Sequence, residues 1–217
     1  MANIFPRSAN YLPLKIVFCL LVLGGAVSVV YWYYLTPEYM RAGYQPIQPV
    51  PFSHDIHVTQ LGIDCRYCHS YVEVSSHSNI PTTQTCMNCH TQIKADSPKL
   101  AAVRQSWSTG NPVDWVKIHQ VPDFAYFNHA VHVNRGISCA SCHGSVNHMD
   151  VVYQQEPLSM GWCLNCHRHP ENNLRPVSQV FNLDWKPDSG PSQEQIGLEL
   201  KKQWDINPPQ NCTGCHR

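Results

Sequence analysis

Residues 136–144 read Gly-Ile-Ser-Cys-Ala-Ser-Cys-His-Gly, and the unit at their centre, Cys139-x-x-Cys142-His143, occurs five times in 217 residues. The other four copies are Cys65-x-x-Cys68-His69, Cys86-x-x-Cys89-His90, Cys163-x-x-Cys166-His167 and Cys212-x-x-Cys215-His216. Cys-x-x-Cys-His is the attachment signature of c-type haem. Two thiols three positions apart reach the two vinyl groups on one porphyrin edge as thioethers, and the next residue offers its imidazole to the iron from one face. Covalent tethering also removes the entropic cost of holding the cofactor. Zinc sites would combine Cys-x-x-Cys units in twos, which five units do not allow. A thiol–disulfide pair does not call for a histidine behind each copy. The reading is therefore five covalent haems, with His69, His90, His143, His167 and His216 as proximal iron ligands.

Composition agrees. Eleven cysteines and thirteen histidines stand beside seventeen prolines and eleven glycines. So many breakers point to turns and short elements rather than long helices. Formal net charge is zero, which leaves out the basic excess of a nucleic-acid-binding surface. The apolar residues left outside one N-terminal run are too few for a large conventional core, so the haems are expected to supply the interior. The expected fold is a loop-rich domain of short helices wrapped around five haems, with few or no strands.

Residues 16–35, IVFCLLVLGGAVSVVYWYYL, carry no charge and match the length of a membrane-spanning helix. Arg7 and Lys15 precede this run, and Tyr31, Trp32, Tyr33 and Tyr34 close it as an interfacial aromatic cluster. The positive-inside rule then places residues 1–15 in the cytoplasm and the rest on the outer, periplasmic face of a bacterial cytoplasmic membrane. A signal peptide cleaved near Ala26–Ser28 is the rival reading. The apolar run continues past that site, which favours a retained anchor. Cys19, in mid-span, reads as a small hydrophobe.

The soluble part is internally repeated. FSHDIHVTQLGIDCRYCH (52–69) and FNHAVHVNRGISCASCH (127–143) align, with one extra residue in the first copy. Each is followed by a second unit ending Asn-Cys-His. Residues 52–94 and 127–170 thus read as two copies of a two-haem module. A linker (36–51) precedes them, a connecting segment (95–126) joins them, and 171–217 carries the fifth haem. Helices are expected near 98–106 and over 192–207, the latter capped by Ser192.

Eight histidines remain. The Phe-x-His-x-x-His pattern ahead of each module nominates His54, His57, His129 and His132 as distal iron ligands, because residues three apart share a helical face yet can serve different irons. For the fifth iron the reading leans to Met149, with His77 and His119 as alternatives; a methionine ligand would raise that haem's potential. His148 and His169 read as hydrogen-bonded surface residues. Met40, Met87 and Met160 read as packing.

The pattern Phe-x-His-x-x-His followed by Cys-x-x-Cys-His resembles the cytochrome c7/c3 superfamily. Residues 116–170 and the stretch IPTTQTCMNCH are similar to the membrane-anchored pentahaem cytochrome c subunit of alternative complex III. That resemblance implies an electron-transfer subunit with no substrate chemistry of its own, working with menaquinol oxidation. It implies as partners an iron–sulfur, molybdopterin-enzyme-like subunit, polytopic quinol-binding subunits and a monohaem cytochrome c. The implied acceptor is a soluble cytochrome c, a blue-copper protein or a terminal oxidase. A reductase with an open iron is a competing class, but such pentahaem enzymes carry a lysine in place of one unit's histidine, and all five units here end in histidine. The alternative function is a stand-alone membrane quinol dehydrogenase feeding periplasmic reductases.

Overall fold

The computed structural model describes residues 6–35, 41–187 and 189–216. Met40 and residues 36–40 of the expected linker lie outside the described residues. The chain divides into two compact units, residues 1–40 and 41–217.

In the first unit, helix α1 covers Leu12–Leu35. It starts four residues before the expected span, because Pro13 is tolerated in a first turn, where its missing N–H has no partner to lose. Its apolar side chains are exposed along its length, and it is long and apolar enough to cross a membrane. Ser28 donates back to the Gly24 carbonyl at 2.8 Å, so its hydroxyl is satisfied within the helix.

The second unit has no strand among the described residues. Two isolated antiparallel bridges, Ala125 with His216 and Ile137 with Leu174, are its sheet-like pairings. Each Cys-x-x-Cys-His unit lies on a helical turn: α2 (Cys65–Cys68), α3 (Thr83–His90), α6 (Ala140–His143), α7 (Met160–Arg168) and α9 (Cys212–Cys215). A helical turn puts residues three apart on one face, so the thiols of each unit point the same way. Asp64, Ser159 and Asn211 cap three of these turns with side-chain oxygens.

The expected helix near 98–106 is a 3-10 turn, Pro98–Leu100, running into α4 (Ala101–Thr109), which Gly110 stops in the left-handed region at φ 75°. Helix α4 lies on α3. Val103 packs with Met87 and Val50, and Thr83 and Ser106 share a 2.6 Å hydroxyl hydrogen bond. The expected packing role of Met87 therefore holds, whereas Met160, at the start of α7, is 66 % exposed. The expected helix over 192–207 is α8 (Gln193–Gln203), begun by a capping box between Ser192 and Gln195. It ends four residues early. Asp205 takes φ 48°, and Asn207 precedes Pro208, which disfavours helical geometry.

Lys201 of α8 bonds the Glu171 carboxylate at 2.8 Å, and this bond chiefly holds the Glu171 carboxyl below the usual carboxylate range. A depressed folded-state value means the pair stabilises above the unfolded pKa and loses that contribution as pH falls through the folded one. Glu171→Gln is expected to cost about 0.5 kcal/mol at neutral pH and progressively less as acid protonates the Glu171 carboxylate. Denaturant unfolding at neutral and at acid pH measures the difference.

The single-residue length difference between the repeats has a local explanation. In the second copy the ligand-bearing segment is α5 (His129–Asn134); in the first it is a π-helical turn, Asp55–Gln60. A π turn is what one residue inserted into an α-helix produces. The extra residue is absorbed there, and the histidine spacing is unchanged.

Candidate haem-binding sites

The two repeats build the same local device. Phe52 stacks on His57 (ring centres 4.4 Å apart) and meets His54 edge-on (4.9 Å). Phe127 lies against His132 (4.6 Å) and meets His129 edge-on (4.7 Å). His57 Nδ1 donates to the Ser53 carbonyl and His132 Nδ1 to the Asn128 carbonyl, each at 2.7 Å. The Ser53 hydroxyl and the Asn128 side-chain carbonyl cap the turns that follow.

The Nδ1 atoms show a common pattern. His69 donates to the Asn79 carbonyl (2.7 Å), His90 to Ile93 (2.8 Å), His167 to Pro209 (2.7 Å), His216 to Phe124 (3.1 Å) and His129 to Ser76 (2.9 Å). An imidazole whose Nδ1–H is held by a carbonyl presents Nε2 as the lone-pair donor, the arrangement of metal-ligating histidine. Burial pushes His143 down to about 3, helped by the His119, His129, His69 and His54 rings, and His54 down to about 4, so both stay neutral at neutral pH.

Ring separations test the fit to iron. Metal–imidazole bonds of about 2 Å put the centres of two rings sharing one metal about 6.3 Å apart. His57 and His90 are 6.2 Å apart, His132 and His167 6.2 Å, and His129 and His143 6.5 Å. His119 stands edge-on to His143 at 4.2 Å, too close for an iron between them. Its Nε2 is buried without a hydrogen-bond partner, as is His54 Nδ1.

No cysteine forms a disulfide. Burial pushes Cys139 up to about 11 and Cys142 up to about 12, the reverse of the depressed thiols that redox pairs need. The thiols and imidazoles together match the donor set of haem c. The model of the family described as "Cytochrome c7 and related cytochrome c" matches residues 50–107 and 125–217. The chain belongs to the cytochrome c7 family. Membership carries covalently bound haem c, and this c7-type cytochrome is similar to further cytochromes c. It is 30 % identical to the "Menaquinone reductase, multiheme cytochrome c subunit" of Nitratidesulfovibrio vulgaris, over 70 % of this chain and 81 % of that one. It is 25 % identical to a "Cytochrome c-552" of Maridesulfovibrio salexigens over 66 % of this chain, and spans 38 % of that longer protein. A Porphyromonas gingivalis "Cytochrome c-552" is 32 % identical over 40 % of the chain and 19 % of its own length.

The remaining candidates fall at different places in this cytochrome. Met149 is buried, and its carbonyl accepts from the His54 and Asp55 amides. His77 is exposed, with Nδ1 on the Ser76 hydroxyl at 2.9 Å. Beside His216 stands the Phe124 ring, at 5.6 Å. His148 has both nitrogens engaged, Nε2 with Asp184 (2.8 Å) and Nδ1 with Thr59 (3.3 Å); His169 is exposed and bonds Glu171. The phenylalanine clamps went unassigned in the sequence, although Phe52 and Phe127 recur at one repeat position. The carbonyl acceptors have no sequence signal, because any residue supplies one.

Proposed function

We propose that this multihaem cytochrome is the pentahaem electron-transfer subunit of a membrane quinol:acceptor oxidoreductase of the alternative complex III type. The observation that carries the reading is the 6.2 Å separation of His57 from His90 and of His132 from His167. It is the separation of two imidazoles that would share one iron, and an iron held by both would pass electrons without offering a position to substrate. All ten unit cysteines attach haem, and the five unit histidines are proximal ligands. His57 serves the His90 iron and His132 the His167 iron; His54 and His129 serve those of His69 and His143. The fifth iron, that of His216, takes its second ligand from Met149, with His77 and His119 as the alternatives.

Bound haem supplies a one-electron ferric/ferrous couple. The chain tethers it, orients the imidazoles through backbone carbonyls and phenylalanine rings, and excludes water. No side chain is required as acid, base or nucleophile. Helix α1 anchors the haem unit on the periplasmic side of the cytoplasmic membrane. The named relative is a subunit of a menaquinone reductase, whereas the reading here is quinol oxidation. Outer-sphere transfer runs either way, and the potentials of the partners set its direction. The partners are an iron–sulfur, molybdopterin-enzyme-like subunit, polytopic quinol-binding subunits, a monohaem cytochrome and a soluble acceptor.

Gentle-detergent purification from the native membrane is expected to bring the iron–sulfur and polytopic subunits along. Recovery of the cytochrome alone, or with one soluble reductase, would favour the stand-alone quinol dehydrogenase. Mass spectrometry of the denatured chain is expected to show five added haem masses.

A further inference from the structure

The two modules interlock about an approximate two-fold relation. In the first, the His54 and Asp55 amides donate to the Met149 carbonyl, and Thr59 donates to the Asn147 carbonyl at 2.7 Å. In the second, the His129 and Ala130 amides donate to the Ser76 and Ser75 carbonyls, and Asn134 donates to the Glu73 carbonyl at 2.8 Å. Each module's ligand-bearing turn thus rests on the loop that follows the other module's first haem unit. Such an exchange draws the two first units, those of His69 and His143, together at the centre and leaves the second units outside.

Contacts between neighbouring units agree. Unit two meets unit one through Asn88 Nδ2, which donates to the Tyr67 hydroxyl at 3.1 Å. Units one and three share a platform at 180–181: Arg66 covers the Phe181 ring, Ser138 donates to the Val180 carbonyl, and Val72 and Val133 pack on Val180. Units three and four are bridged by α5, whose His129 ring faces His143 and whose His132 ring faces His167. Units four and five are joined by the Pro209 carbonyl, which holds His167 Nδ1 just ahead of α9.

We infer that the five haem units lie in the unbranched order two, one, three, four, five, so that electrons pass between partners docked at the His90 end and the His216 end. This rests on the relay function proposed above. Each transfer oxidises one ferrous iron and reduces the next ferric iron by one electron, with no bond or proton exchanged. A quinol at one end and a one-electron carrier at the other close the balance. The fifth unit breaks the two-fold symmetry, since it extends the series at one end alone.

The test is flash reduction of the full-length haem-loaded protein from a ruthenium polypyridyl complex bound at Gln84→His, an exposed site on α3 beside unit two. Freeze-quench spin resonance follows each ferric signal, assigned by single-ligand variants. The inferred order requires the His90 iron to be reduced first, then that of His69, then that of His143. Arrival at His143 ahead of His69 would overturn it. Removing unit one (Cys65→Ala with Cys68→Ala) is expected to abolish transfer beyond the His90 iron; undiminished transfer would also overturn the order. If that variant does not fold, Cys86→Ala with Cys89→Ala decides, with the complex at Tyr71→His: electrons should still spread from unit one, and their confinement there would refute the order. If no electron leaves the His90 iron in the intact chain, the relay function itself fails, an outcome separate from a wrong order.

Discussion

In the His57→Ala protein, one iron should change from low-spin to high-spin while the others keep their spectra. His57 stands 6.2 Å from His90, its Nδ1 donates to the Ser53 carbonyl, and Phe52 stacks on its face. Alanine removes one axial donor and leaves the covalent tether at Cys86 and Cys89 intact, so the haem stays and its coordination falls to five. With the five haems proposed, about one fifth of the low-spin ferric intensity should vanish, and the reduced protein should bind carbon monoxide at that one site. His132→Ala should do the same at the His167 iron. His148→Ala is the control, since both its ring nitrogens are already hydrogen-bonded to Asp184 and Thr59. A wholly low-spin spectrum in the His57 variant would refute the ligand assignment.

The Gly197→Ala protein should be less stable by about 1–3 kcal/mol, the usual cost of overpacking a tight contact. Residue 197 lies inside α8, where alanine is ordinarily the better helix former by about 1 kcal/mol. Helix propensity therefore predicts stabilisation, and the two effects have opposite signs. Packing wins here. A Cβ on Gly197 would run into the Glu171 carbonyl, with the Glu171 Cα 2.7 Å away. Those are backbone atoms, which cannot swing aside as a side-chain end can. To make room, α8 must lift off the 170–172 turn, which strains the Lys201–Glu171 pair and the Gln193 bonds to the Glu171 and Leu174 carbonyls. Denaturant unfolding of the haem-loaded protein measures the loss. Equal or greater stability would show that α8 relaxes freely.

What the sequence made legible was whatever is encoded locally. Cys-x-x-Cys-His needs one helical turn, and all five units are on such turns. Ser192 and Gln195 announce α8 because a capping box is a four-residue device. The repeated Phe-x-His-x-x-His marked its histidines as candidate ligands by repetition alone; which unit histidines His57, His129 and His132 face, namely His90, His143 and His167, is set by the fold. The rest depends on distant pairing. Nothing in the composition of 52–60 says that it rests on 147–149, or that 129–134 rests on 73–76. Nothing around Gly197 names Glu171 as its neighbour. The ligand of the His216 iron stayed open for the same reason: Met149, His77 and His119 are near in sequence to other units, while the approach to His216 is built by Phe124 and Ala125 from far along the chain.

The reciprocal seating of the modules has a consequence for assembly. Each module carries both halves of the contact, a ligand turn and a receiving loop, and uses each on the other copy. That is the geometry of an isologous dimer interface, in which one patch serves both subunits. A chain holding a single module could complete the contact only by meeting a second molecule, and its loading would then depend on concentration. Joining the copies through residues 95–126 makes the encounter intramolecular and concentration-independent. It also frees the two receiving loops to differ, and they do: the carbonyl that takes the first ligand's amide belongs to Met149 in one loop and to Ser76 in the other.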